Sequence, residues 1–83
     1  MRFKAEIDIM PLDEILDPQG KVVNRSLNDL GISGIENVRI GKHIHFFIDA
    51  ENKDEAEKSV EEACKKLLAN LIVEQYTYSL SEA

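Results

Sequence analysis

A chain of 83 residues carrying sixteen acids against ten bases, for a formal net charge of −6, holds one domain, residues 1–83, and a domain of this size buries only about 60% of the surface its unfolded chain exposes. The acidic balance repels phosphate backbones, the bases are scattered among acids, and Trp is absent, so nucleic-acid binding is disfavoured. Cys64 is the only cysteine, which excludes a disulfide framework and fits a reducing compartment. The start Met1-Arg2-Phe3-Lys4 carries no apolar leader and no membrane span, so a cytoplasmic protein with no membrane role is expected. A thin core is commonly remedied by self-association, and a dimer or tetramer is the expected form.

Phe3, Ala5, Ile7 and Ile9 alternate with Lys4, Glu6 and Asp8, the period of a strand with one buried face. Pro11 ends that ladder. Asp17 then suits a helix N-cap, Pro18 the first helical position and Gly31 the left-handed residue past the helix end. Between them Val23, Leu27 and Leu30 form a narrow apolar stripe, with Lys21, Asn24, Arg25, Asn28 and Asp29 on the wetter side. Val38 and Ile40 mark a short second strand, Gly41-Lys42 a tight turn, and Ile44, Phe46 and Ile48 a third strand completing an antiparallel hairpin.

Asn52 with Glu55 resembles a capping box, after which Ala56, Val60, Ala63 and Leu67 recur at helical spacing. The helix places acids early and lysines late, in keeping with its dipole, and Glu61/Lys65 and Glu62/Lys66 are pairs four apart. Asn70 suits a left-handed helix stop, and Ile72, Glu74, Tyr76, Tyr78 and Leu80 share one face of a last strand. The fold class implied is α+β: a ferredoxin-like βαββαβ domain with one four-stranded antiparallel sheet under two helices on one face.

No catalytic constellation emerges. His43 and His45 share a side of their strand but supply only two metal ligands, and Cys64 sits beside an apolar stripe with no adjacent histidine, as a buried small hydrophobe does. The loop after strand one carries Asp13, Glu14 and Asp17 rather than the glycines or arginine an anion cradle needs, which disfavours an acylphosphatase-type enzyme. Gly20 either admits a close backbone approach or eases the first helical turn. Arg39 and Lys42, beside the expected turn, are either docking groups for another subunit or ordinary solvated charges.

Asp17-Pro18-Gln19-Gly20, Arg39-x-Gly41-Lys42 and the run Cys64-Lys65-Lys66-Leu67-Leu68-Ala69-Asn70 followed by Val73-Glu74-Gln75-Tyr76 resemble the PurS family, the small subunit of phosphoribosylformylglycinamidine synthase. The resemblance runs nearly end to end, with Leu71 standing where the family commonly has proline. It implies a noncatalytic subunit bridging the PurQ glutaminase and the PurL synthetase. There ammonia from glutamine converts formylglycinamide ribonucleotide to formylglycinamidine ribonucleotide. It further implies that this chain binds no cofactor, that ATP and Mg serve the partner synthetase, and that Asp17, Pro18, Gln19, Gly20, Arg39, Gly41, Lys42 and Asn70 are candidate subunit contacts. A small-molecule-binding regulatory module of the ACT type shares the element order, but the glycine usual at its strand-one exit is replaced here by Pro11 and acids. Since the histidine pair offers too few ligands, chelator treatment is expected to leave the melting temperature unchanged, and a clear fall would reveal a structural metal.

Overall fold

The computed structural model describes all residues from Met1 to Ala83. Strand β1 (Arg2–Pro11) forms the centre of a three-stranded antiparallel sheet, flanked by β2 (Lys42–Asp49) and β3 (Glu74–Glu82) in the order β2-β1-β3. The register places Ile7 between Ile44 and Tyr78, and Ala5 between Phe46 and Leu80. The period-two pattern therefore collects the apolar residues of all three strands on one face. Phe3, Ala5, Ile7 and Ile9 of the central strand are buried, whereas Ile44, Phe46 and Ile48 of β2 remain half-buried. The opposite face is polar: His43 Nδ1 donates to Asp8 Oδ1 at 2.7 Å, and the exposed Phe47 ring is covered by the Arg2 guanidinium.

Helix α2 (Lys53–Ala63) begins as its sequence predicts, with Asn52 Oδ1 accepting from the Glu55 amide at 2.9 Å. It packs over β1 and β3, burying Ala56, with Val60 and the following Cys64 clustered with Ile7 and Ile9. Its last turn, Cys64–Leu68, widens to π-helical geometry in which the Ala69 amide donates to the Cys64 carbonyl. Tyr78 Oη donates to Glu61 Oε1 at 3.1 Å and ties the helix to β3. Burial, aided by that carboxylate, raises the Tyr78 phenol above its ordinary pKa.

Helix α1 (Pro18–Asp29) also starts and stops where the sequence indicates. At its end the Ile32 amide donates to the Leu27 carbonyl and the Gly31 amide to that of Asn28, with Gly31 at φ 82°, the paired bonds of a glycine-terminated helix. The expected arrangement around it needs correction. Val38 to Ile40 form no strand, because the Ile40 amide donates to the Asp17 carboxylate and leaves the ladder without that donor. With no second strand there is no hairpin at Gly41-Lys42, and the four-stranded ferredoxin-like sheet is a three-stranded one. Nor do two helices share its face, since α1 forms no layer on the sheet and exposes Val22 and Leu30. Asn70 is not left-handed either: its carbonyl accepts from the Val73 and Glu74 amides in a turn, and the non-glycine residue with positive φ is Asn37.

Residues 12–41 thus project from one end of the sheet as a helical arm. The radius of gyration, 16.4 Å, compares with about 12 Å for a compact domain of this length. With ten residues buried in the whole chain, each core side chain carries much of the stability. Ile7→Ala is expected to lose about 2–5 kcal/mol in urea denaturation at fixed protein concentration, while Leu67→Ala, 83% exposed, stays within about 0.5 kcal/mol of wild type.

Candidate functional site

The candidate contact residues gather at one end of the sheet, around the root of the arm, because every element entering or leaving that end contributes one of them. Asp17 caps α1 with an extended backbone, and its Oδ1 accepts from the Gly20 amide at 3.1 Å while Oδ2 accepts from the Ile40 amide at 2.8 Å. The side chain is almost wholly buried. The Ile40 amide first and the Gly20 amide second hold this carboxyl below its usual pKa against an opposing push from burial, with the Arg39 guanidinium adding to the lowering. Gly20 resolves in favour of close approach: a Cβ there would lie 2.1 Å from the Val38 carbonyl oxygen. Gly41 is similar, with a Cβ meeting the Ile9 carbonyl oxygen at 2.3 Å.

The two basic candidates have partners inside the chain. Arg39 Nη2 donates to the Leu12 carbonyl at 2.7 Å, and Lys42 Nζ lies 3.5 Å from Glu74 Oε2. Glu74 also accepts from the Asn70 amide through Oε1 at 2.7 Å, and the Leu12 amide donates to the Val73 carbonyl. Asn70, Glu74 and Lys42 form one polar chain; Asp17, Ile40, Arg39, Leu12 and Val73 form another. Pro18 and Gln19 stay exposed and border an apolar groove completed by Val22, Val23 and Ile40. The Leu12 carbonyl was not legible as part of this site, since a backbone acceptor leaves no mark in sequence, and Glu74, quoted only within the family motif, bonds the Asn70 amide and pairs with Lys42 through its carboxylate. The buried Asn24 Oδ1 beside the clamp has no partner within the chain.

This arrangement positions backbone. The Asp17 carboxylate is occupied by amides, and the Cys64 thiol is pushed up by burial and by Glu61, away from the thiolate that nucleophilic attack requires. No group of three His, Cys, Asp or Glu side chains is placed to hold a metal ion, and no helix is long and apolar enough to cross a membrane.

Comparison with known proteins places these features in a family context. The family model described as PurS, phosphoribosylformylglycinamidine (FGAM) synthase, matches residues 4–82. The chain is 38% identical over 74 residues to the phosphoribosylformylglycinamidine synthase subunit PurS of Thermotoga maritima, covering 89% of this chain and 90% of that one. It is 34% identical over 80 residues to the Bacillus subtilis subunit of the same name, covering 96% and 94%. Among solved structures, a chain in the structure of PurLQS from Thermotoga maritima is similar at a TM-score of 0.91 and 34% identity, covering 98% of this chain and 99% of that chain.

Asp17→Ala is expected to lower hydrogen-exchange protection of the Gly20 and Ile40 amides about tenfold or more, with the amides of β1 unchanged. Because folding lowers the Asp17 pKa, its contribution is present above the unfolded carboxylate value of about 3.9 and is lost as pH falls through the folded value. The same amides should accordingly lose protection first on acidification.

Proposed function

The chain belongs to the PurS family, and from that premise we propose that it serves as the noncatalytic small subunit of phosphoribosylformylglycinamidine synthase in purine biosynthesis. It bridges the PurQ glutaminase and the PurL synthetase and supports passage of glutamine-derived ammonia from one to the other. The observation that carries this reading is its likeness, over nearly the whole chain, to a component of the PurLQS assembly. A site built only of backbone anchors and ion pairs supports it too. ATP and Mg belong to the synthetase in this scheme, this chain holds no cofactor, and the assembly works in the cytoplasm as an oligomer of this subunit with its partners. The family match displaces the ACT-type alternative.

The contact candidates divide by exposure. Asp17, Gly20 and Arg39 hold the arm to the sheet, while Pro18, Gln19, Gly41, Lys42 and Asn70 are exposed and are the members a partner subunit can reach. Lys42→Glu puts a like charge beside the half-buried Glu74 and removes a 3.5 Å ion pair whose lysine is exposed, so stability is expected to fall by about 1 kcal/mol. Mixed with PurQ and PurL, the wild-type chain should form a complex by size exclusion with light scattering and support glutamine-dependent synthesis. Lys42→Glu should lower that synthesis more than synthesis driven by free ammonia. A wild-type chain that joins neither subunit would overturn the reading, and full glutamine-dependent activity in Lys42→Glu would remove Lys42 from the contact surface.

A further inference from the structure

We propose that the cleft between the first turns of α1 and residues 14–17 and 37–39 is a docking surface for an acidic segment of a synthase partner, one that carries an apolar residue beside its carboxylates. The proposal rests on the synthase reading and supplies the chemistry of the surface that the partner presents. The cleft, of about 610 Å³, is lined by Lys21, Arg25 and Arg39 against Glu14 and Asp17. In a chain of net charge −6 this is a local excess of positive charge, and the Asp17 carboxylate is already engaged by two amides. Lys21 and Arg25, four apart and therefore on one face of α1, are exposed and enter none of the chain's ion pairs. The other bases without a partner, Lys53 and Lys58, stand on α2, outside this cleft.

Two properties of the cleft select a protein segment over a small anion. Small-molecule sites of this size are lined mainly by apolar side chains, whereas three of the eleven lining residues here are hydrophobic. One of those three, Leu16, is 64% exposed beside the cations, and a free anion would leave it uncovered. The walls are fixed before any partner arrives, because Asp17 ties the helix start to Ile40 and Arg39 holds the Leu12 carbonyl. Little ordering cost therefore falls on binding. Pro18 and Gln19, exposed members of the contact set, lie between the lining residues Asp17 and Gly20, so the cleft extends one continuous surface. On it Lys21 and Arg25 attract and orient the carboxylates, and Leu16 takes the apolar contact.

Titration of the full chain into a mixture of PurQ and PurL, followed by calorimetry at several salt concentrations, tests the surface. Lys21→Gln with Arg25→Gln keeps helix-forming side chains and is expected to weaken binding ~10-fold or more and to flatten its dependence on salt. Lys53→Gln with Lys58→Gln makes the same charge change on α2 and is expected to stay within ~2-fold of wild type. Leu16→Ser, at an exposed position that leaves the fold intact, should weaken binding while its salt dependence stays that of wild type. Unchanged binding in either cleft variant, equal losses in the two charge variants, or wild-type binding that ignores salt would overturn the proposal and leave the synthase reading standing. Loss of self-association by the cleft charge variant in sedimentation velocity would assign the cations to a second copy. Saturable binding of inorganic phosphate that this variant loses would assign them to a small anion, and either result overturns docking of an acidic segment. A wild-type chain that joins neither subunit overturns the proposal and the synthase reading together.

Discussion

One carboxylate governs the shape of this molecule. Asp17 accepts both the Gly20 amide in the first turn of α1 and the Ile40 amide, so the end of the arm is fastened to its own beginning. A helix N-terminus needs an acceptor for its unpaired amides, and an extended segment needs partners for its backbone; here the same side chain meets both needs. The close approach at Gly20 makes this possible, because any larger residue would push Val38 away. The segment that would otherwise become an edge strand is diverted, and the sheet ends at β2.

An arm closed on itself in this way does not lie back on its own sheet. The consequence is a protomer 51 Å long and 15 Å thin, with a core confined to one side of β1 and one face of α2. Such a chain buries little for its size. Its less covered apolar surface is distributed in two separated places, the exposed stripe of α1 and the half-buried inner face of β2.

Charge follows the same division. Pairs such as Lys66 with Glu62, whose carboxyl is held below its usual range by that lysine, lie on the exposed side of α2 and its π-helical turn and contribute little to stability. The polar chain from Asn70 through Glu74 to Lys42 joins the entries of β2 and β3, keeping the end of the sheet from which the arm departs in register. Rigid placement of that root fixes where the exposed helix stands relative to the sheet.

Local rules were sufficient for everything local. The alternation of β1, the Asp17-Pro18 start and Gly31 stop of α1, the Asn52 cap of α2, the Ala56 and Val60 part of its apolar stripe and the burial of Cys64 could be read from sequence, because each depends on a dihedral preference or periodicity within a few residues. Leu67, expected on the same stripe, is instead 83% exposed where the helix widens to π geometry. The motifs around Asp17, Arg39 and Cys64 were likewise enough to point to the family. What the tertiary structure alone decided was who takes each polar group. Val38 and Ile40 have the composition of a strand, but the Ile40 amide goes to a carboxylate 23 residues away, and no local propensity records that competition. Arg39 looked free until the Leu12 carbonyl met it, and Asn70 closes a turn through hydrogen bonds instead of a positive φ. The position of α1, off the sheet it was expected to cover, follows from those long-range bonds.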